Sequence, residues 1–362
     1  MALPGALVDF NGGTFNLNPG AQLNGDGLYR ISGGATLSAN ADVTIQNLDF
    51  ISNQSALSGS AIVTIARLLN WTAGGMNGTG RTFIAGGASL NLSNAISVSI
   101  GNRTLENAGT VTCIGSAEFV ANGGVVTNRP GGLFEVQNDA AIRHLIAASR
   151  FDNAGTFRKR IATGTNALSS AFAFNNYGTV DLRSGTLAAN GGYTSSSQAS
   201  LNCTIGGVVP GTNFGRLVVP GALSLNGALS IALTNDYLPS TNDSFAVVSA
   251  GSRSGTFTTF SFPSNLVTMQ LSNAPNAVIV SVTAVTAPPP APLLLTPSLS
   301  GPNVVLTWTA VSNATYRVEF NPDFATSNWS SLPGDITASS NTATKLDLLT
   351  PSNRFYRVRV LP

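Results

Sequence analysis

"LENAGTV" at residues 105–111, "FDNAGTF" at 151–157 and "FNNYGTV" at 174–180 are three versions of one phrase. Their glycines, Gly109, Gly155 and Gly178, form a series with Gly132, each member 23 residues from the next. The columns that follow agree: Thr110, Leu133, Thr156 and Thr179, then Val111, Phe134, Phe157 and Val180. Each unit sets Gly or Asn at a turn and then a short alternating run, such as "TVTCI", "LFEVQ" or "TVDLR", that reads as a strand. No unit carries a helical pattern. A strand-and-turn repeat of this length is one coil of a parallel β-helix, in which every coil pairs with the coils above and below it.

Upstream the period loosens while the vocabulary persists, in "NGGTFNL" (11–17), "SGGATLSA" (32–39), "LSGSAIVTI" (57–65) and "AGGASLNL" (85–92). The fold class expected is therefore all-β. Residues 1–206 form a parallel β-helix of about nine coils of ~23 residues, roughly 43 Å of stacked sheet. Residues 207–286 form a β closing segment, 287–297 ("APPPAPLLLTP") a stiff proline-rich linker, and 298–362 a small β-sandwich.

Composition bounds the function. A hydrophobic share of 43% in 362 residues supports a sizeable core, while charged residues make up only 9%, well below the roughly 25% of an average soluble domain. The surface this implies is neutral and rich in hydroxyl and amide groups. A net charge of +2 gives no global attraction to nucleic acid or to an anionic membrane. No run of 18 apolar residues is present, so no membrane span is expected. "MALPGALVDF" has neither the basic nor the apolar region of a signal peptide. The chain is read as an extracellular or cell-surface protein whose export signal has been removed.

The register supplies side-chain neighbours. Val111, Phe134, Phe157, Val180 and Cys203 fall in one inward stack, and Thr112, Glu135, Arg158, Asp181 and Thr204 in the outward column beside it. Cys113 and Cys203 are then about four coils, or roughly 19 Å, apart, too far for a disulfide, and read as buried thiols. Glu135 and Asp181 lie two coils, about 10 Å, apart, near the upper end of the spacing of an inverting glycosidase pair. Arg158 sits between them, so acid, base and acid read first as a structural ladder. Lys159 stands out, because its column of Cys113, Val136, Leu182 and Ile205 is otherwise apolar.

Other chemistry is thin. His144 is the only histidine and no nucleophile motif flanks it, so it reads as a loop residue; no P-loop is present. Neither the cysteines nor the scattered carboxylates have metal-ligand spacing, and no metal or cofactor is expected. Arg143, Arg150, Arg158, Lys159 and Arg160 form the single charge cluster. Arg143, Arg150, Lys159 and Arg160 are the residues offered as contacts for an acidic surface polysaccharide, against a reading as solvated loop and ladder residues. Asn107, Asn153 and Asn176 read as turn residues that tolerate unusual backbone angles.

"LLNWTAGGMNGTGRTFIAGGASLNL" (68–92), the Asn-x-Gly-Thr turns and "FRKRIATGTNAL" resemble the autotransporter-like solenoid repeats of bacterial secreted and surface proteins. Residues 223–260 are similar to the segment that follows such solenoids. "NVVLTWTAV", "TYRVEF" and "SNRFYRVRV" resemble a fibronectin type III domain, which implies Trp308 on its second strand, Tyr356 as its tyrosine corner and one sheet edge short of a strand. The resemblance implies a structural or adhesive protein. Separately, "MALPGALVDF" offers no polar cap and the sandwich is short of a strand, and these two open β ends are read as a route to head-to-tail stacking into a fibre or an oligomer. A carbohydrate-binding or polysaccharide-cleaving β-helix is the alternative.

Overall fold

A computed structural model describes residues 1–234, 237–285, 290–323, 325–350 and 353–361. The chain divides into two compact units, Met1–Ser264 with Thr268–Ala284, and Asn265–Val267 with Val285–Pro362.

The first unit is a β-solenoid with three parallel sheets, which the chain visits in turn. On the first face the ladder runs from Leu7–Asn11 and Leu28–Ser32 through Ser89–Leu92, Thr110–Cys113, Leu133–Val136, Thr156–Lys159, Thr179–Leu182 and Ser200–Ile205 to Ala228–Leu233 and Thr259–Ser261. The second face includes Phe119–Asn122, Ile142–His144, Thr165–Leu168 and Thr186–Ala189. The third includes Thr104–Asn107, Val125–Asn128, Ser149–Asn153 and Phe172–Asn176. Among the described residues the first face has twelve rungs, about 53 Å of sheet at ~4.8 Å per rung. Val43–Phe50 and Arg216–Leu225 each serve two faces, and the register shifts inside them, at Ile45/Asn47 and Val219/Ala222, mark where the strand turns a corner.

The step of 23 holds for Thr110 to Leu133 to Thr156 to Thr179, whereas Ser89 to Thr110 and Thr179 to Ser200 are steps of 21. This corrects the expected columns at their last member. Val180 stacks on Leu201, Asp181 on Asn202 instead of Thr204, and Leu182 on Cys203 instead of Ile205. The coil is two residues shorter there, and because side chains alternate with period two, a two-residue shift preserves which ones point inward. The parallel ladder also runs on past residue 206, with longer coils of 28 and 31 residues from Ser200 to Ala228 to Thr259. On this face it ends at Thr259–Ser261, while on the second face Ser244–Gly255, which stacks on Arg216–Leu225, takes Ala277–Val285 as an antiparallel partner. That pairing covers backbone groups that a last parallel strand would leave open.

The repeating glycines exist because of the neighbouring coil. A Cβ on Gly155 would lie 2.3 Å from the carbonyl oxygens of Gly132 and Arg129, and one on Gly178 would lie 2.3 Å from that of Gly155. Inside, two aromatic ladders face each other. Phe134 and Phe157 stack at 5.9 Å on one side, and Phe151, Phe174 and Tyr193 at 5.1 and 5.5 Å on the other. Edge-on contacts at 4.9 Å (Phe134–Phe151) and 5.3 Å (Phe157–Phe174) close the space between them.

The asparagines read as turn residues have a second task. Asn107, Asn128, Asn153 and Asn176 are buried, and none has a positive φ. Each Nδ2 donates to the Oδ1 of the next coil, at 2.8, 2.8 and 2.9 Å, and the chain ends on the Tyr193 hydroxyl at 3.0 Å. The second Nδ2 proton goes to a backbone carbonyl of the coil above, Leu133, Thr156, Thr179 and Ser200 in turn. Each amide thereby ties the turn of its own coil to the first strand residue of the coil above.

The second unit holds two small antiparallel sheets. One contains Ser298–Ser300, Asn303–Thr309 and Thr342–Leu348, the other Thr315–Asn321 with Ser330–Ser331, Ile336–Thr337 and Phe355–Val360. Trp308, fully buried on the second strand, packs with Tyr316 at 5.9 Å. The Tyr356 hydroxyl donates to the Asp347 carboxylate at 2.7 Å, where a tyrosine corner would bond to backbone; Arg354, 2.5 Å from the same carboxylate, fixes it there. Of the expected linker, residues 287–289 lie outside the described residues. Leu293 and Leu295 hydrogen-bond to Thr309 and Thr307, so this stretch joins the sandwich edge.

Replacing Asn153 by Ala removes the central amide of the ladder and leaves polar groups on both neighbours without partners. A loss of about 3 kcal/mol is expected, read as a lower urea midpoint in circular dichroism.

Candidate functional site

Residues at the third position of each first-face rung point outward, and every one is polar: Asp9, Arg30, Asp49, Asn70, Asn91, Thr112, Glu135, Arg158, Asp181, Asn202, Ser230 and Ser261. Alternation places them outside, and stacking at ~4.8 Å puts each within reach of the next. Asn91 donates to Asn70 at 3.1 Å, Asn70 to Asp49 at 3.0 Å, and Arg30 lies 3.6 Å from Asp49.

The charges concentrate in the middle of this column. Arg158 donates to Asp181 at 2.8 Å and lies 3.7 Å from Glu135. Arg160 approaches Glu135 to 2.7 Å, and Arg183 donates to Asp181 at 3.0 Å, so five charges alternate in one network. The two carboxylates are nearly covered by this arginine layer: their side chains are 6% and 10% exposed, in a column expected at the surface. Burial alone would raise the Glu135 pKa. The hydrogen bonds from Arg160 and Gln137, with the charges of Arg160 and Arg158, outweigh burial and hold the carboxyl below the ordinary glutamate range. A carboxyl kept ionised in this way is badly placed to donate a proton as a general acid.

The basic cluster separates in three dimensions. Arg143 stands on the second face beside Glu118 at 2.9 Å, Arg150 on the third beside Asp152 at 2.7 Å, and Arg158 and Arg160 belong to the first face and its corner. Eighteen residues are most of one coil, so neighbours in sequence are spread around the solenoid. Lys159 requires a correction: expected among the polymer contacts, it is fully buried in the stack of Cys113, Val136, Leu182 and Cys203. Its parity on the strand points it inward, and its ammonium finds Asp139 at 2.8 Å and Asn166 at 2.6 Å.

His144 ends the strand Ile142–His144 instead of lying in a loop, and its Nδ1 is 2.8 Å from the Ser169 hydroxyl. Among the described residues no carboxylate pairs with this ring, and no three His, Cys, Asp or Glu side chains gather as a metal site. Burial pushes the Cys113 thiol up to about 12, and burial with the nearby Asp181 charge pushes Cys203 higher still.

Sequence reasoning missed an open groove of about 580 Å³ toward the C-terminal part of the polar column, where Asp181, Arg183, Asn202, Thr204 and Ser230 share the lining with the apolar Ala232 and Leu233 and with Cys203. Its walls come from three successive rungs, Thr179–Leu182, Ser200–Ile205 and Ala228–Leu233. The groove presents hydroxyls, an amide, a carboxylate and a guanidinium along a flat sheet, the donor and acceptor mixture that a hydroxylated polymer can bond.

Two outcomes are expected. Because the depressed Glu135 pKa adds stability that is complete above its unfolded value and lost as the pH falls through its folded one, the stability difference between wild type and Glu135→Gln is constant above pH ~5 and shrinks below about pH 4, by urea unfolding at a series of pH values. Neither buried thiol reacts with a thiol reagent in the native protein, and both react in denaturant. No protein-family model matches this chain, and a search of curated proteins returns no match.

Proposed function

We propose that the chain is an extracellular or cell-surface structural protein with an adhesive role, its solenoid serving as a rigid spacer and its sandwich as a presented module. The observation that carries this reading is the unbroken stack of twelve first-face rungs, filled inside by aromatic and amide ladders and tied outside by a polar column. Such a stack bears load because every coil is bonded to two others. The resemblance to autotransporter-like repeats and to fibronectin type III modules points the same way. Head-to-tail self-association belongs to the proposal, supported by the exposed Leu7 on the edge strand Leu7–Asn11.

Carbohydrate binding is the second reading, and the groove beside Asp181 and Asn202 favours it. A glycan array combined with a reducing-sugar assay on pectin, alginate and xylan separates the readings. The structural reading expects no release of reducing ends, and turnover of any of the three would overturn it. Retention on an acidic glycan that drops with Arg183→Ala would place the second reading first. Light scattering is expected to show assemblies that grow with concentration, and monomers alone at high concentration would remove self-association.

A further inference from the structure

The corner between the first and second faces in the coil of residues 156–168 contains a group of side chains that packing alone does not call for. Lys159 replaces an apolar side chain in a column otherwise made of Cys113, Val136, Leu182 and Cys203, and it is wholly buried. Its Nζ touches three oxygens: Asn166 Oδ1 at 2.6 Å, Asp139 Oδ1 at 2.8 Å and the Asn138 carbonyl at 3.2 Å. The Asn166 amide, itself 1% exposed, is clamped by its nitrogen, which donates to the Ala140 carbonyl at 2.9 Å and to Asn138 Oδ1 at 3.3 Å. The amide carbon is therefore no farther than about 3.8 Å from Nζ, one C=O bond beyond the oxygen. A near-attack arrangement needs about 3–3.5 Å, so the two atoms have at most a few tenths of an ångström to close.

The surrounding backbone is built to hold this group. Gly185, at φ +71°, leaves the space that the Lys159 stem occupies, since a Cβ there would lie 2.1 Å from Lys159 Cε. Gly164 does the same for Asp139, whose carboxylate would be 2.5 Å from a Cβ at that position and which accepts the Gly164 N–H at 3.1 Å. Ile161, between the lysine and the asparagine, has φ +75°, a conformation costly for a β-branched residue and met where surrounding structure enforces it. A cavity of about 20 Å³, lined in part by Asn138, Asn166 and Val136, adjoins the amide and has room for one small molecule. Burial lowers the Lys159 pKa against the pull of Asp139, which favours the neutral, nucleophilic amine.

We propose that Lys159 and Asn166 condense within the folded chain to an isopeptide bond, with Asp139 as the proton carrier. Asp139 takes a proton from the Lys159 ammonium, and the freed Nζ lone pair attacks Asn166 Cγ. The Nζ–Cγ bond forms and the Cγ–Nδ2 bond breaks. The protons shed by Nζ pass through Asp139 to Nδ2, which leaves as ammonia and is protonated to ammonium in water. One ammonium side chain and one carboxamide become one secondary amide and one ammonium ion, so charge and atoms balance and no oxidant is involved. The product staples two adjoining faces of the solenoid at a strained corner.

Denaturing mass spectrometry of the full chain, followed by a tryptic map, tests this whether or not a variant folds. The expected mass is below the sequence mass by about 17 Da, one ammonia. The map is expected to contain Lys159-Arg160 joined through Asn166 to the peptide 161–183, since trypsin does not cut after an acylated lysine. Lys159→Arg and Asp139→Ala are each expected to lack both the mass loss and the branched peptide. A wild-type chain at full sequence mass overturns the proposal. So does a loss that maps to a succinimide at an Asn-Gly pair such as Asn77-Gly78, which hydroxylamine cleaves and an isopeptide bond resists. A branched peptide that persists in Asp139→Ala overturns the part assigned to Asp139.

Discussion

Parallel backbone pairing between coils is the constraint on which the rest of the first unit depends. Once Thr110–Cys113, Leu133–Val136, Thr156–Lys159 and Thr179–Leu182 are hydrogen-bonded in register, each position lies about one strand spacing from its equivalents above and below. A residue then has to suit its own column before it suits its neighbours in sequence. Phenyl rings stack on phenyl rings, carboxamides form a continuous chain of donors and acceptors, and Glu135, Arg158 and Asp181 alternate in sign on successive rungs. The glycines at the turns follow from the same rule. Their Cβ atoms would strike a backbone carbonyl of the adjacent coil, which is why they recur although their φ angles are ordinary.

This constraint also explains what the sequence made legible. The period of 23 was visible because Gly109, Gly132, Gly155 and Gly178 are fixed by contact, and the ladder of Glu135, Arg158 and Asp181 follows from the same count. The steps of 21 were hidden, because Ala88 and Ala199 stand where glycines would have marked the turns. Asn128 escaped notice for a related reason. It lies four residues before Gly132, whereas Asn107, Asn153 and Asn176 each lie two before theirs; Arg129, Pro130 and Gly131 bulge out of the turn while the amide keeps its place. The basic run was misleading in the opposite sense. Compact in sequence, it spans most of a coil, and a chain that turns three corners in that distance distributes its cations over three faces.

Corners are where a solenoid has to find partners that the sheets do not supply, and two buried cations show different solutions. Arg103, 1% exposed between the second and third faces, donates to the carbonyls of Gly59, Asn77 and Arg81 and to the Thr82 hydroxyl, with no carboxylate in the set. Burial lowers its pKa to about 10, which leaves it charged at neutral pH. A guanidinium has five donors in a fixed fork, so one side chain can satisfy several inward-facing carbonyls. Gly80 permits this, since a Cβ there would crowd Arg103 Nη1 at 2.9 Å.

Lys159 meets a different set at the next kind of corner, one carboxylate, one carboxamide and one carbonyl. If bonding carbonyls were the whole task, arginine would perform it with more donors and without the large desolvation cost of a compact ammonium. An amine differs from a guanidinium in two respects that matter here: it can lose its proton when buried, and it is then a nucleophile. The carboxylate beside it can receive that proton, and the carboxamide whose oxygen touches the same nitrogen carries an electrophilic carbon. Chemistry therefore accounts for a lysine at this corner, and carbonyl bonding accounts for an arginine at the other.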